Sequence, residues 1–227
     1  MIYEERKYQA VEYLLRYPNG FCAEKKYPII FFIHGAGGRG GTLEAMKGHP
    51  ELAHSEKIEA FPFVSVAPLC PDANATWFDY FENLKDLIRD VISFDFIDPT
   101  RVYMMGASMG GYTTWELAMS MPELFAAIVP ICGGGMYWNA KRLINVPVWA
   151  FHGKLDHTVL VEESEKMVNA VNKKGGSAKL TVYPENAHDA WNDTYSNPEV
   201  YRWLLMHQKS NAKQFVNEYS DNVKAFG

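Results

Sequence analysis

A serine set between two glycines at the end of an apolar run constrains this chain more than any other stretch. In Arg101-Val-Tyr-Met-Met-Gly-Ala-Ser-Met-Gly-Gly-Tyr112, the segment Val102 to Met105 reads as a buried strand and Tyr112 to Met121 as a helix. Between them, Gly106-Ala107-Ser108-Met109-Gly110 has the form G-x-S-x-G. A chain that passes from strand to helix over so few residues nearly folds back on itself. It needs small residues on both flanks, and the geometry pushes the serine hydroxyl outward. The pentapeptide alone is a weak signal, but the strand before it and the helix after it supply the context that makes Ser108 a candidate nucleophile.

The rest of the chain repeats this alternation. Residues 8–17 alternate in part and suit an antiparallel strand near a sheet edge, closed by Pro18-Asn19-Gly20. Tyr27 to Ile33 is a continuous apolar run, as in a strand covered on both faces. It leads into His34-Gly35-Ala36-Gly37-Gly38-Arg39-Gly40-Gly41, after which a helix begins at Thr42 or Glu44. Further strands are expected at 63–68, 125–131, 146–151 and 178–183. Helices are expected from about Tyr80 to Phe94, from Val161 to Lys173 and from about Pro198 to His207. Strands alternating with helices imply a mostly parallel sheet covered on both faces. Without repeats or a Pro/Ser-rich linker, residues 1–227 read as one domain, with 210–227 as a polar, loosely attached tail.

In such a sheet, ligands bind beyond the carboxyl ends of the strands. Ser108, Asp156 and His188 each fall just past a predicted strand. Their chain order, Ser then Asp then His, is that of a nucleophile, an orienting acid and a base. His34 precedes the nucleophile and opens a glycine loop, where bracing that loop is its expected role. His152 and His157 flank the acid, while His49, His54 and His207 fall in helical or loop surface. Asp189 adjoins His188 too closely in sequence to face its ring; Asp193 is a conceivable substitute for Asp156. An oxyanion would need two donors. The N–H of Met109, next after the nucleophile, is one, and the N–H of Ala36 in the glycine loop is the other.

Composition narrows the partners. A formal net charge of −5 argues against nucleic acid, which demands a basic face. No stretch approaches the ~18 uninterrupted apolar residues of a membrane span. The glycine loop lacks the lysine and Ser/Thr of a G-x-x-x-x-G-K-[ST] motif, and no G-x-G-x-x-G with a following acid points to a dinucleotide. His152, Asp156 and His157 resemble no metal motif, so no metal or other cofactor is expected. Cys22, Cys70 and Cys132 form no pairing pattern; Cys70 and Cys132 end apolar runs and are expected as buried thiols. With no apolar leader at the N-terminus, the expectation is a cytoplasmic protein, although a trimmed secreted chain would read alike. A homo-oligomer is compatible with the sequence.

Four segments, KKYPIIFFIHGAGGRG, IDPTRVYMMGASMGGYTTWELAM, PVWAFHGKLDHTV and NAHDAW, in this order resemble the small serine esterases of the α/β-hydrolase superfamily. The likeness is to prolyl-oligopeptidase-like esterases, including feruloyl and acetyl esterases of plant cell-wall carbohydrate, and it covers nearly all of 8–207. It implies an α/β-hydrolase fold with Ser108 as nucleophile, Asp156 as acid, His188 as base and Ala36 with Met109 as oxyanion donors. The activity it implies is ester hydrolysis through an acyl-enzyme, on acetyl or feruloyl esters of saccharides. A peptidase or amidase, a lysophospholipase or thioesterase, and an inactive binding protein on the same fold are the alternatives. Only 14 residues, 132 to 145, join two of the predicted strands, too few for a cap of several helices. An open site is therefore expected, with a small ester-bearing molecule or an oligosaccharide ester as its partner. Trp77, Trp138 and Trp191, with Phe78 and Tyr137, fall in loops on the expected catalytic side and could stack on a sugar or aryl group.

Overall fold

The computed structural model describes residues 2–58 and 60–210. Its apolar runs become the strands of one eight-stranded sheet: β1 (Ile2–Tyr8), β2 (Val11–Tyr17), β3 (Tyr27–Ile33), β4 (Val64–Leu69), β5 (Ile97–Ala107), β6 (Ala127–Ile131), β7 (Val148–Gly153) and β8 (Ala178–Tyr183). The order across the sheet is β1-β2-β4-β3-β5-β6-β7-β8. β1 and β2 pair antiparallel, as do β2 and β4, and every pairing from β4 to β8 is parallel. This is the single-domain α/β-hydrolase arrangement.

Two apolar layers explain why the central strands are hydrophobic on both sides. In β3, Ile29, Phe31 and Ile33 pack with one cluster, while Ile30 and Phe32 pack with the other. The first layer takes Leu84, Leu87, Ile88 and Val91 of α3 (Phe81–Ile92). It also takes Trp115 and Met119 of α4 (Met109–Ser120) and Met167 and Val171 of α5 (Val161–Lys173). The second layer takes Leu43 and Met46 of α1 (Leu43–Met46), Leu52 of α2 (Pro50–Ser55), Tyr195 of α6 (Trp191–Ser196) and Leu204 of α7 (Pro198–Leu205). Each fully buried large side chain contributes about 1.5–3 kcal/mol, so the two layers together are the main source of stability. Thr42 caps α1, its hydroxyl accepting from the Ala45 N–H at 3.2 Å.

Several expectations need correction. The antiparallel strand expected over 8–17 near a sheet edge is β2, but it starts at Val11 as the second strand of a hairpin, and Tyr8 ends β1. The chain turns at Gln9-Ala10, and β1 forms the sheet edge. Gln9 takes φ 51° there, and its side-chain oxygen accepts from Asn83 Nδ2 at 2.7 Å, a contact from α3 that holds the turn. The helix expected from Tyr112 starts at Met109, directly after the serine, and the final helix ends at Leu205 rather than at His207. Short helices at Pro50–Ser55 and Trp191–Ser196, and a 3-10 turn at Tyr137–Leu143, were not foreseen. That 3-10 turn is the only regular element between β6 and β7 among the described residues, so this connection carries no helical cap. Beyond Ser210, the expected tail lies outside the described residues. Among the described residues, no helix is long and apolar enough to cross a membrane.

Candidate active site

The turn after β5 is strained. Ser108 has φ 56° and ψ −119°, a conformation that a residue with a side chain adopts only when its surroundings force it. Its N–H donates to Ile131 O at 2.9 Å, which fixes the turn against β6. The flanking glycines are steric necessities. A Cβ on Gly106 would lie 2.3 Å from Gly110 O, and one on Gly110 would lie 1.9 Å from Ile33 O. Helix α4 therefore leaves the sheet at backbone-to-backbone contact with β3, and Ser108 is left half-exposed at its N-terminus.

Two loops bring the other groups to it. After β7, the Asp156 carboxylate is buried, and its Oδ1 accepts from the N–H groups of Thr158 and Val159, both at 2.9 Å. After β8, the loop carrying His188 is tied to the first by Leu155 N–H donating to Asn186 O at 2.9 Å. Gly153 permits this closeness, since a Cβ there would lie 2.1 Å from Ala187 O. His188 Nδ1 lies 2.6 Å from Asp156 Oδ2, and its Nε2 lies 2.8 Å from Ser108 Oγ. An ionised carboxylate only accepts, so Nδ1 carries the proton and Nε2 is left to accept from the serine hydroxyl. Burial by itself would raise the Asp156 pKa. The hydrogen bonds from His188, Val159 and Thr158 outweigh it and hold the carboxyl below the ordinary aspartate range. The structure thus joins Ser108, His188 and Asp156 in one hydrogen-bonded line. It leaves Asp193 outside that line, accepting from Asn186 Nδ2 at 2.5 Å.

The glycine loop faces the serine from the other side. A Cβ on Gly35 would lie 3.4 Å from Ser108 Cβ. Ala36 opens a 3-10 turn and Met109 opens α4, so neither N–H has a partner within its own helix. His34 braces this loop from beneath, as expected. It is buried, its Nε2 accepts from the Cys70 N–H at 3.0 Å, and its Nδ1 lies 2.6 Å from Gly35 O. Burial lowers its pKa, which keeps the ring neutral.

The three tryptophans separate. Trp77 is fully buried and its Nε1–H donates to His34 O at 3.0 Å, so it supports the glycine loop and cannot touch a substrate. Trp138 is 67% exposed on the 3-10 turn and is not among the residues lining the cleft. Trp191 does line it, edge-on to His188 with ring centroids 5.1 Å apart. The cleft, about 410 Å³, is otherwise walled by the glycine loop, His49, Pro50, Glu51, Thr158 and Tyr195. His49, Glu51 and Tyr195 carried no signal of this role: His49 and Glu51 flank the proline that opens α2, and Tyr195 sits in a helix that the sequence hid.

Behind the acid, Cys132, His152 and Asp156 each place one potential ligand atom within 4.8 Å of the others. Their hydrogen bonds fit a support for the acid better than a metal centre. Both His152 nitrogens are engaged, Nδ1 with Ser164 Oγ at 2.7 Å and Nε2 with Val159 O at 2.8 Å. Burial also pushes the Cys132 thiol up to about 12, far from the thiolate a metal takes. Cys70 and Cys132 are both buried and unpaired, as expected.

A serine on a strand-to-helix turn, with acid and base on the loops after β7 and β8, places the chain among the α/β-hydrolases. The chain belongs to the Dienelactone hydrolase family, whose model matches residues 76–225, and it is thus a member of a hydrolase family. Dipeptidyl-peptidase 5 of Porphyromonas gingivalis is 20% identical over 221 residues, covering 75% of this chain and 32% of that protein. Feruloyl esterase B of Piromyces equi is 25% identical over 165 residues, covering 65% and 29%. The chain therefore spans about a third of the length of these curated relatives. Among solved structures, a thermostable esterase superposes with a TM-score of 0.78 at 30% identity, covering 92% of this chain and 63% of the other.

Proposed function

We propose that the protein is a serine-dependent carboxylic ester hydrolase that works through an acyl-enzyme. The observation that carries this reading is the unbroken line from Ser108 Oγ through His188 to Asp156 Oδ2. His188 Nε2 takes the hydroxyl proton as Ser108 Oγ attacks the ester carbonyl. The N–H groups of Ala36 and Met109 receive the negative charge that develops on the carbonyl oxygen. His188 returns the proton to the departing alcohol, and a water activated by the same nitrogen then releases the acid. Asp156, held ionised, fixes the imidazole tautomer and balances the imidazolium that forms at each step.

Substrates proposed are short-chain or aryl esters, with acetyl and feruloyl esters of carbohydrate foremost. The likeness to feruloyl esterase B supports this, as do the short link between β6 and β7 and the Trp191 ring beside the base. The short link between β6 and β7 supplies no helical cap to enclose a long acyl chain. The test is kcat on p-nitrophenyl acetate. Ser108→Ala should lower it by about 10⁴-fold, and a variant that keeps most of its turnover rules the reading out. The dipeptidyl-peptidase likeness favours a second reading, amide hydrolysis with the same residues. Faster cleavage of peptide anilides than of matched esters would select it.

A further inference from the structure

The cleft wall holds two buried polar atoms without a hydrogen-bond partner among the described residues. Glu51 is 4% exposed, and its Oε1 has no hydrogen-bond partner among the described residues. Tyr195 is 1% exposed, and its hydroxyl has none either. Both side chains line the same cleft as Ser108 and His188. His49 Nδ1 lies 3.4 Å from Glu51 Oε1, within ion-pair range but out of line for a hydrogen bond. Leaving one buried acceptor and one buried hydroxyl unsatisfied costs about 1–3 kcal/mol each, a cost that a partner in the cleft would remove.

We propose that Glu51 and Tyr195 form a subsite for a hydroxyl group of the substrate. This rests on the ester-hydrolase reading and specifies its substrate class. A hydroxyl donates one hydrogen bond and accepts one, matching the chemistry of a carboxylate oxygen and a phenol O–H on one cleft wall. Burial raises the Tyr195 pKa well above its ordinary value, so the phenol stays protonated and keeps its donor. A substrate ammonium fits less well. It cannot accept from Tyr195, and His49, which Glu51 holds above its ordinary pKa, already offsets part of the carboxylate charge. Beyond these two groups and the Ser108–His188 pair, the cleft is lined by glycine, alanine and proline with His49, Thr158 and the Trp191 ring, which suits a flat or compact body carrying the hydroxyl.

The hydroxyl could belong to the acid or to the alcohol of the ester, and two substrate pairs distinguish these sources. Methyl 4-hydroxycinnamate against methyl cinnamate reads the acyl side; 4-hydroxyphenyl acetate against phenyl acetate reads the alcohol side. The wild-type protein should prefer the hydroxylated member of one pair by about ten-fold or more in kcat/KM, since rejecting the analogue leaves both polar atoms unpaired. Tyr195→Phe and Glu51→Gln should each collapse that ratio toward one, with thermal unfolding curves confirming that both variants fold. Equal rates within both pairs, or a preference that survives both substitutions, overturns the subsite while leaving the esterase reading intact. Cleavage of none of the four esters overturns both.

Discussion

Gly110→Ala is the most exacting test of how the site is built. A Cβ at position 110 would lie 1.9 Å from Ile33 O, about 1.4 Å inside the ~3.3 Å of a close carbon–oxygen contact. Neither partner is a flexible side chain: one is the backbone of β3 and the other the first turn of α4. The clash can be relieved only by moving helix and strand apart, which displaces Ser108 relative to the glycine loop. Overpacking of this kind costs about 3 kcal/mol or somewhat more, equivalent to a fall of roughly 6–12 °C in Tm for a chain of this size. A displacement near 1 Å at Ser108 should lower the rate by about 10²-fold if it is the nucleophile proposed above. Gly37→Ala is the control for stability, because a Cβ there meets nothing within 4 Å. Thermal unfolding and kcat/KM on p-nitrophenyl acetate read both effects. If Gly110→Ala unfolds within 2 °C of wild type and keeps its activity, the close packing of α4 on β3 does not set the position of the serine.

Two further perturbations separate the parts of the site. Trp77→Phe keeps the aromatic packing but removes the donor to His34 O, leaving a buried carbonyl unpaired at the base of the glycine loop. It should cost about 1–3 kcal/mol in denaturant unfolding and lower kcat by loosening Ala36; unchanged stability would show the bond to be dispensable. Asp156 has a folded-state pKa below its unfolded value, so its stabilisation is fully present above the ordinary aspartate range near ~4. It is lost as pH falls from there through the lowered value. Asp156→Asn should therefore flatten that part of the acid limb of a stability-against-pH curve, and an identical acid limb in the variant would contradict the assignment.

The sequence made some of this site plain because the relevant residues sit at boundaries between periodic segments. Ser108, Asp156 and His188 each follow an apolar run, so knowing where strands end was enough to place them together beyond the carboxyl ends of the strands. The N-terminal hairpin was not legible in the same way. Its turn uses Gln9 at positive φ, with no glycine or asparagine to mark it, and β1 alternates weakly because it is an edge strand. Trp77 and Trp191 show a second limit. Both lie outside predicted strands on the catalytic side, yet one is sealed under His34 and the other faces the cleft. Only tertiary packing separates them. Glu51 was hidden for a related reason: the short helix that carries it had no signal in the sequence, and its wall position follows from the packing of α2 against α6.

Covalent titration tests the central claim most directly. Treating the protein with diethyl p-nitrophenyl phosphate should release one equivalent of p-nitrophenol as hydrolysis of p-nitrophenyl acetate is lost in parallel. Peptide mass spectrometry should then place the diethylphosphoryl group on Ser108. Full activity with Ser108 modified, or a label on another residue accompanying the loss of activity, would contradict Ser108 as the nucleophile.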